Sequence, residues 1–456
     1  MQKNAIWHNQ TKNTIQRQQT KMHVPKNERI ARLENIKTRI CEKHPQLSGF
    51  FVFSRINIYY FTGTPANGVL YVPMNGEPLL FVRKGFEKAK QECPFEHIYR
   101  YTSYAEIETV CADLGLALSK NALYGMETAG LTAQLAMLFC SKIKAFSQNI
   151  PATVDNEIKY VRSIKSPYEC EKIREAGKRQ ALALEKILPF YLNGILHHTV
   201  PRPPSILEQY GKEPASRYGQ DPFILSEKNI AKHCVQIYTE LEHGFLCRMS
   251  AHGEEIFYGH VACGDNLIAP TYYNGAMGFQ GLHPALPCLG SEKVWQKGEP
   301  LCVDMVFNYE GYHTDKTQCY FYGREQDLPD EAKKAYECCF AVQELVLRRL
   351  THGAVPEEIW SETLKLVEKF NFTEQFMGYK QNRVPFLGHG IGLSVDEFPV
   401  LAKNFKEPLQ NSMIIACEPK IALPNFGMVG IENTFELIDN TVKNITSAQD
   451  GIIFIS

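Results

Sequence analysis

The 456-residue sequence predicts an α/β protein of two domains. Short apolar runs alternate with helical stretches from about residue 28 to 150, which is typical of an α/β domain. Long amphipathic helices follow, and from Phe245 onward the chain is rich in glycine and short strand-like runs. We therefore expect a flexible leader over 1–27, an N-terminal domain over 28–155 and a C-terminal domain over 156–456.

Local patterns predict the individual elements. In the N-terminal domain, ERIARLENIKTRICEKH has apolar residues at helical spacing, whereas GFFVFSRINIYYFTG and GVLYVPMNGEPLLFV are strand-like, the latter with an Asn-Gly turn. In the C-terminal domain, PYECEKIREAGKRQALALEKILPFYL predicts long helices, and Ser226 is the expected N-cap of a later helix. The segment 197–222 between these helices has five prolines and little periodicity. We expect it to be a surface insertion, with a role as a lid or partner contact as the alternative.

Composition excludes several classes of function. The formal net charge of −1 gives no field to recruit nucleic acid or an anionic membrane. The sequence has no run of about 18 apolar residues, and its polar, basic N-terminus lacks the apolar core of a secretion signal. The 14 cysteines form no CxxC pair, which favours reduced thiols. These features predict a cytoplasmic protein that binds neither nucleic acid nor a membrane.

The first candidate ligands lie in PLCVDMVFNYEGYHTDKTQCYFYG. Two strand-like runs are joined by a turn at Glu310-Gly311, so a hairpin would bring Asp304 and Asp315 close together. Two neighbouring buried carboxylates repel each other unless a proton or a cation lies between them. The pair alone is a weak indication of a metal, because aspartates often flank hairpin turns.

Three further candidates lie in separate glycine-rich segments. His389 stands between Gly388 and Gly390, where the backbone can approach closely and the imidazole can project into a site. Glu418 ends an apolar run and Glu432 lies inside another, although acidic residues in apolar strands are rarely buried without a partner. Together with the two aspartates they form an oxygen-rich set suited to Mn, Fe, Co or Zn.

The order Asp, Asp, His, Glu, Glu in the contexts VDMVFNYEGYHTDKT, GHGIGL, CEP and GIEN resembles the superfamily of methionine aminopeptidase, aminopeptidase P, prolidase and creatinase. This resemblance implies a C-terminal catalytic domain of the pita-bread fold and a creatinase-type N-terminal α/β domain, as in the proline-specific branch. It also implies a homodimer and two divalent metal ions, with manganese favoured. Asp304 would chelate one ion, Asp315 and Glu432 would bridge both, and His389 and Glu418 would complete the other.

The implied activity is removal of N-terminal residues from small proline-containing peptides. Two metals can lower the pKa of a shared water so that it attacks a polarised carbonyl. Glu418, a ligand that also faces this water, would take its proton and pass it to the leaving amine.

The sequence departs from the peptidase pattern at two substrate-contacting histidines. Asp396, in VDEFP, occupies one of these positions, and either Cys288 or Thr271 occupies the other. His260 and His283 are candidates to replace the lost imidazoles, with structural hydrogen bonding as the alternative role for each. Gln318 stands where the peptidases usually have arginine, which would alter the environment of the ligands.

These departures leave three hypotheses. The first is an Xaa-Pro aminopeptidase or dipeptidase. The second is a non-peptidase enzyme on the same scaffold, such as a creatinase-like C–N hydrolase or a lyase acting on dimethylsulfoniopropionate. The third is a binding protein that has lost catalysis, which the retention of all five ligands disfavours because buried carboxylates without a metal destabilise a core. A metal assay separates the third from the others, and a substrate panel separates the first two.

Overall fold

The computed structural model describes residues 24–147, 149–199, 224–249, 255–256, 258–285, 288–439, 441–447 and 451–456. The chain divides into two compact units between Val161 and Arg162. The predicted leader lies outside the described residues up to residue 23, and so does most of the predicted insertion, from residue 200 onward. Within the described residues, no helix is long and apolar enough to span a membrane.

The N-terminal unit is built around one mixed sheet. Its helices are α1 (Lys26–Lys43), α2 (Arg55–Thr62), α3 (Phe86–Glu92), α4 (Ala105–Asp113), α5 (Ala133–Lys142) and α6 (Asp155–Ser163), the last of which crosses into the second unit. Its strands are β1 (Leu47–Val52), β2 (Asn67–Pro73), β3 (Leu79–Lys84), β4 (Ile98–Arg100), β5 (Leu123–Met126) and β6 (Ala152–Thr153). The strand order is β4-β3-β2-β1-β5-β6, and aromatic side chains such as Phe51 and Phe139 fill the core on one face.

One prediction in this unit is wrong. The run GFFVFSRINIYYFTG is strand only in its first part, and Arg55–Thr62 forms helix α2. Ser54 caps this helix by accepting a hydrogen bond from the backbone N–H of Asn57, and Gly63 ends it in the left-handed conformation at φ 81°. Because the helix is buried on nearly every side, its sequence is mostly apolar and resembles a buried strand.

The C-terminal unit contains three sheets that matter for the site. Its helices are α7 (Pro167–Leu182), α8 (Leu188–Leu196), α9 (Glu227–Glu240), α10 (Asp330–Arg349) and α11 (Pro356–Phe370), and a π-helical turn (Ala183–Ile187) joins α7 to α8. Its strands are β7 (Cys247–Arg248), β8 (Glu255–Ile256), β9 (Gly259–Cys263), β10 (Pro300–Tyr309), β11 (Tyr312–Tyr322), β12 (Phe386–Gly390), β13 (Glu397–Ala402), β14 (Ile414–Cys417), β15 (Lys420–Leu423), β16 (Gly427–Gly430), β17 (Asn433–Ile438), β18 (Thr441–Asn444) and β19 (Ile453–Ile455). The sheets are β19-β11-β10-β9, β13-β12-β14-β17-β18 and the ribbon β15-β16.

Several predicted features of this unit are present. Ser226 accepts a hydrogen bond from the Asn229 N–H at the start of α9, as predicted. The structure adds a capping box of Ser166 and Glu169 at the start of α7. The hairpin β10-β11 turns at Glu310 and Gly311, both with positive φ. A two-residue turn of this kind matches the twist of the strands that it joins, so the long hairpin keeps its register.

Candidate metal centre

All five predicted ligands line a single cavity of about 40 Å³ in the C-terminal unit. Asp304 and Asp315 come from β10 and β11, and His389 comes from β12. Glu418 directly follows β14, and Glu432 directly precedes β17. Two sheets therefore contribute to one site, which has room on the order of an ion and a water.

The pairing of β10 and β11 explains how the two aspartates meet. Asp315 lies opposite Val306, two residues along β10 from Asp304. Residues two apart on a strand share a face, so both carboxylates lie on the same face of the hairpin in a diagonal relation. The hairpin therefore allows the carboxylates of Asp304 and Asp315 to reach the same site.

The glycines beside His389 are required by close packing of backbones. A Cβ at Gly388 would lie 2.2 Å from the carbonyl oxygen of Ala416 on β14. A Cβ at Gly390 would lie 1.9 Å from the carbonyl oxygen of Phe398 on β13. Only glycine permits these approaches, which hold the strand that carries His389 between its two neighbours.

The imidazole of His389 is oriented by its Nδ1 atom. Nδ1 lies 3.0 Å from the carbonyl oxygen of Val395 and 3.1 Å from that of Gly390, so it donates its hydrogen to them. The Asp396 carboxylate lies 3.6 Å from the same nitrogen. Nε2 is then the atom with a lone pair for a metal, the usual arrangement of a metal-binding histidine. Donor atoms of Asp315, His389 and Glu432 all lie within 4.8 Å of one another.

The buried charges shift one another's pKa values. Burial, followed by repulsion from Glu432, raises the pKa of Asp315 well above its usual range. Burial also raises the pKa of Glu418 to about 7, although Lys420 opposes the shift. For His389 burial lowers the pKa, but Asp396, Glu418 and Glu432 together raise it more. A cluster with these shifts needs additional positive charge if all of its carboxylates are to be ionised.

Part of that charge is supplied by Lys420, which the sequence interpretation overlooked. Its buried ammonium Nζ donates to Glu418 Oε2 at 2.6 Å, to Glu432 Oε2 at 3.1 Å and to Asp304 Oδ2 at 3.3 Å. The sequence does contain a signal, because Lys420 follows Glu418 by two residues at the start of a strand. Side chains at that spacing project to the same face of an extended chain.

His260 and Asp396 line the cavity, and His283 is not among the described residues that do so. His260 stacks on Phe279 with ring centroids 3.7 Å apart, and within the described residues neither of its ring nitrogens has a hydrogen-bond partner. Burial lowers its pKa to about 4, so it is neutral at pH 7. His283 is exposed, and its Nδ1 accepts a hydrogen bond from the Ala285 N–H. The prediction that His283 serves in the pocket therefore has no support in this geometry.

The other substituted positions lie apart from the cavity lining. Thr271 and Cys288 are partly exposed, and neither lines the cavity in the described residues. Tyr273, two residues beyond Thr271, does line it, and its hydroxyl donates to Met249 Sδ at 3.0 Å. Gln318 is buried and donates to the Gly451 carbonyl at 2.8 Å, so its amide pairs with backbone. Sequence reasoning missed Tyr273, because nothing in a loop pattern distinguishes it from its tyrosine neighbour.

The two sheets bring together a cluster of four carboxylates and a histidine. This fold and this cluster define a metallopeptidase-like hydrolase of the pita-bread fold, preceded by a creatinase-type domain. Residues 171–439 match metallopeptidase family M24, and residues 32–164 match the creatinase/prolidase N-terminal domain. The chain belongs to metallopeptidase family M24. The fold and superfamily predicted from the sequence are thereby confirmed.

Relatives of known name cover nearly the whole chain. An Xaa-Pro dipeptidase of Pyrococcus furiosus is 23% identical over 412 residues, which are 88% of this chain and 94% of that protein. The Xaa-Pro dipeptidase structure from Bacillus anthracis has a TM-score of 0.70 at 19% identity and covers 93% of this chain and 99% of its own. The dipeptidase PepE structure from Mycobacterium ulcerans has a TM-score of 0.71 at 17% identity and covers 95% and 99%. At these identities the structures show a shared fold.

Proposed function

We propose that this protein is a metal-dependent hydrolase that removes N-terminal residues from small proline-containing peptides. The observation that carries the proposal is the cavity in which all five family ligands meet, with His389 oriented through Nδ1 toward backbone carbonyls. The names of the relatives, Xaa-Pro dipeptidases among them, support the substrate class. Manganese is the ion we favour, since carboxylate oxygens dominate the site.

The residues fit a divalent ion on one side of the cavity. Asp315, His389 and Glu432 offer two carboxylates and an imidazole within reach of one point. A divalent ion bound there would polarise a substrate carbonyl and lower the pKa of an attacking water. The sequence predicts two ions, and whether a second one fits depends on Lys420, which already contacts Asp304, Glu418 and Glu432.

Glu418 is the residue that we assign to proton transfer. Lys420 holds its Oε2 atom at 2.6 Å, which fixes the orientation of the carboxylate. Oε1 can then take a proton from water and deliver it to the leaving amine. Burial raises the pKa of this carboxyl, which favours its accepting a proton.

Asp396 is the residue that we assign to substrate binding. Its side chain is 46% exposed at the cavity, beside His389. An ionised carboxylate cannot donate a hydrogen bond to a developing oxyanion, so it does not reproduce the role of the histidine that it replaces. It can bind a cation, and the free α-amine of a short peptide is the cation that an aminopeptidase or dipeptidase must recognise.

A non-peptidase reaction is the second candidate, and Asp396 also motivates it. If this carboxylate acts as a general base or acid on a different substrate, the same metal centre would serve a C–N hydrolase or a lyase. His260 would then offer a neutral imidazole to the reacting groups, since it lines the same cavity.

A panel of Xaa-Pro dipeptides and tripeptides separates these candidates. Each peptide would be incubated with protein loaded with Mn²⁺, Co²⁺, Zn²⁺ or Fe²⁺, and release of the N-terminal amino acid would be measured by chromatography. We expect release from peptides with a free α-amine and little from N-acetylated versions, because Asp396 then has no cation to bind. The Glu432→Ala variant is the inactive control. Metal-loaded protein that cleaves none of the peptides would contradict the peptidase proposal and favour the second candidate.

We further propose that the protein is a cytoplasmic homodimer. Its fourteen cysteines are all free, which suits a reducing compartment. The dimer rests on the family resemblance, and light scattering of the purified protein would test it.

A further inference from the structure

The Lys420 ammonium contacts the carboxylate oxygens that a second metal ion would need as ligands. An ammonium group has three N–H donors, and here each one is directed at a different carboxylate, those of Asp304, Glu418 and Glu432. All three belong to the five predicted metal ligands. The ammonium is therefore a cation with its own set of oxygen partners inside the site.

The stem of Lys420 is held in place by its surroundings. Lys420 pairs with Gly430 across the ribbon β15-β16, and its Cγ atom lies 2.5 Å from where a Gly430 Cβ would be. The glycine thus leaves the space through which the stem passes. The Lys420 carbonyl also accepts the Met377 N–H at 2.8 Å, and the side chain is 1% exposed. Turning the ammonium out of the cluster would leave three buried carboxylates with less compensation.

The group that can hold an ion and the set of Lys420 partners share only Glu432. Asp315 and His389 make no hydrogen bond to Lys420 within the described residues, and these two residues with Glu432 form the group that can hold an ion. Asp304, which the family resemblance assigns to one ion alone, has Lys420 as its cationic partner. Asp315, His389 and Glu432 can therefore hold one ion, while the ammonium serves as the cation beside Asp304.

The charge on Lys420 also disfavours a second ion. The ammonium already contacts Asp304, Glu418 and Glu432. A second ion would also bind the oxygen atoms that Lys420 already occupies and would lie beside a fixed positive charge, which repels it strongly in a buried site.

We propose that Lys420 replaces one of the two metal ions, so that this chain binds a single divalent ion through Asp315, His389 and Glu432. The proposal rests on the metal dependence stated under the proposed function and specifies the number of ions. It makes Lys420 a positioning residue for the carboxylates of Asp304, Glu418 and Glu432, and it separates this chain from a two-metal arrangement.

Metal stoichiometry tests the proposal without reference to activity. The full-length protein would be stripped with chelator, titrated with Mn²⁺ by calorimetry, and measured after dialysis by plasma mass spectrometry. We expect one Mn²⁺ per chain, with an electron paramagnetic resonance spectrum of an isolated ion. Two Mn²⁺ per chain, with the spectrum of an exchange-coupled pair, would overturn the inference and leave the proposed function standing. No bound Mn²⁺ would overturn both.

Substitution of Lys420 provides the complementary measurement. Lys420→Ala removes the ammonium and frees its oxygen partners, so we expect the stoichiometry to rise to two Mn²⁺ per chain. Lys420→Met keeps the stem and removes the charge, and serves if the alanine variant fails to fold. Lys228→Met is the matched control, because Lys228 is a buried lysine paired with Glu292, outside the cavity. Its stoichiometry should stay at one, and a folded Lys420 variant that still binds one ion would contradict the proposal.

Discussion

Glu397 anchors the turn that orients the metal-binding histidine. Its buried carboxylate pairs with Arg162, accepts a hydrogen bond from Lys165 Nζ at 2.9 Å, and accepts another from the Ser394 N–H at 2.9 Å. The turn between Ser394 and Glu397 carries the Val395 carbonyl that receives the His389 Nδ1 hydrogen. Replacing Glu397 with glutamine removes the charge but preserves the shape, so the change isolates the electrostatic contribution.

The magnitude follows from the pKa of Glu397. Burial raises this pKa, but Arg162 and Lys165 lower it further, and the result is about 2 against an ordinary value of 4.5. A shift of this size corresponds to about 3 kcal/mol of stabilisation. Because the folded pKa lies below the unfolded one, the contribution is complete above pH 4.5 and is lost as the pH falls toward 2. Glutamine also removes the anion that Arg162 and Lys165 both contact, which agrees with a cost of about 3–5 kcal/mol.

Urea denaturation at pH 7, followed by tryptophan fluorescence, measures the effect. Trp295 and Trp360 both lie in the C-terminal unit, so their signals report its unfolding. We expect Glu397→Gln to lose about 3 kcal/mol, or roughly 5–10 °C of melting temperature. It should also bind Mn²⁺ more weakly, because the turn that orients the histidine is loosened.

The control for this experiment is Glu374→Gln, which removes an exposed ion pair with Arg383. The Glu374 side chain is 84% exposed, so we expect little change in stability. If the Glu374 and Glu397 variants unfold at the same urea concentration, the ion pairs of Glu397 with Arg162 and Lys165 do not stabilise the fold.

The remaining predictions concern the ligands, the pocket, the insertion and the response to acid. Glu432→Ala should bind no Mn²⁺ and be inactive. A variant that keeps both Mn²⁺ binding and activity would exclude Glu432 as a ligand. Asp396→Asn should raise KM for peptides with a free amine at unchanged metal content, and Asp396→His should raise Xaa-Pro cleavage; if both are inactive, Asp396 is a general acid or base. Deleting most of 197–222 should lower the melting temperature by no more than a few degrees, since we expect this segment outside the cores. Burial lowers the pKa of His243 to about 3 and of His313 to about 4, so urea stability should fall as the pH drops from 6.5 toward 4, and a flat profile would contradict this.

The sequence predicts well those features in which one local pattern has one structural solution. The β10-β11 hairpin is an example, because two apolar runs around Glu310-Gly311 can pair in few other ways. The glycines at 388 and 390 are another, since their backbones contact Ala416 and Phe398 too closely for any side chain. Both features depend on short-range geometry that is visible in consecutive residues.

Features that depend on tertiary surroundings were missed. The segment Arg55–Thr62 is helical because Ser54 caps it and the unit buries it, and a short apolar run alone does not distinguish a helix from a strand. His283 is a candidate for the pocket or for structural hydrogen bonding by residue type alone, and the structure places it exposed in a loop. Lys420 is not predicted by the sequence, because buried lysines are rare and its burial depends on carboxylates from distant segments.

The electrostatics of the cluster also separate the enzyme hypotheses from a binding protein on the same fold. With Lys420 in place, burial and the neighbouring carboxylates still raise the pKa of Asp315 well above its usual range. The Lys420 ammonium donates its hydrogen bonds to the other three carboxylates. The negative charge of Asp315 is therefore only partly compensated. A buried carboxyl with so little compensation is costly, so a protein that binds no metal would gain stability by replacing Asp315 with an apolar residue. An ion bound beside Asp315, where His389 presents Nε2, would supply the compensation that the ammonium leaves out.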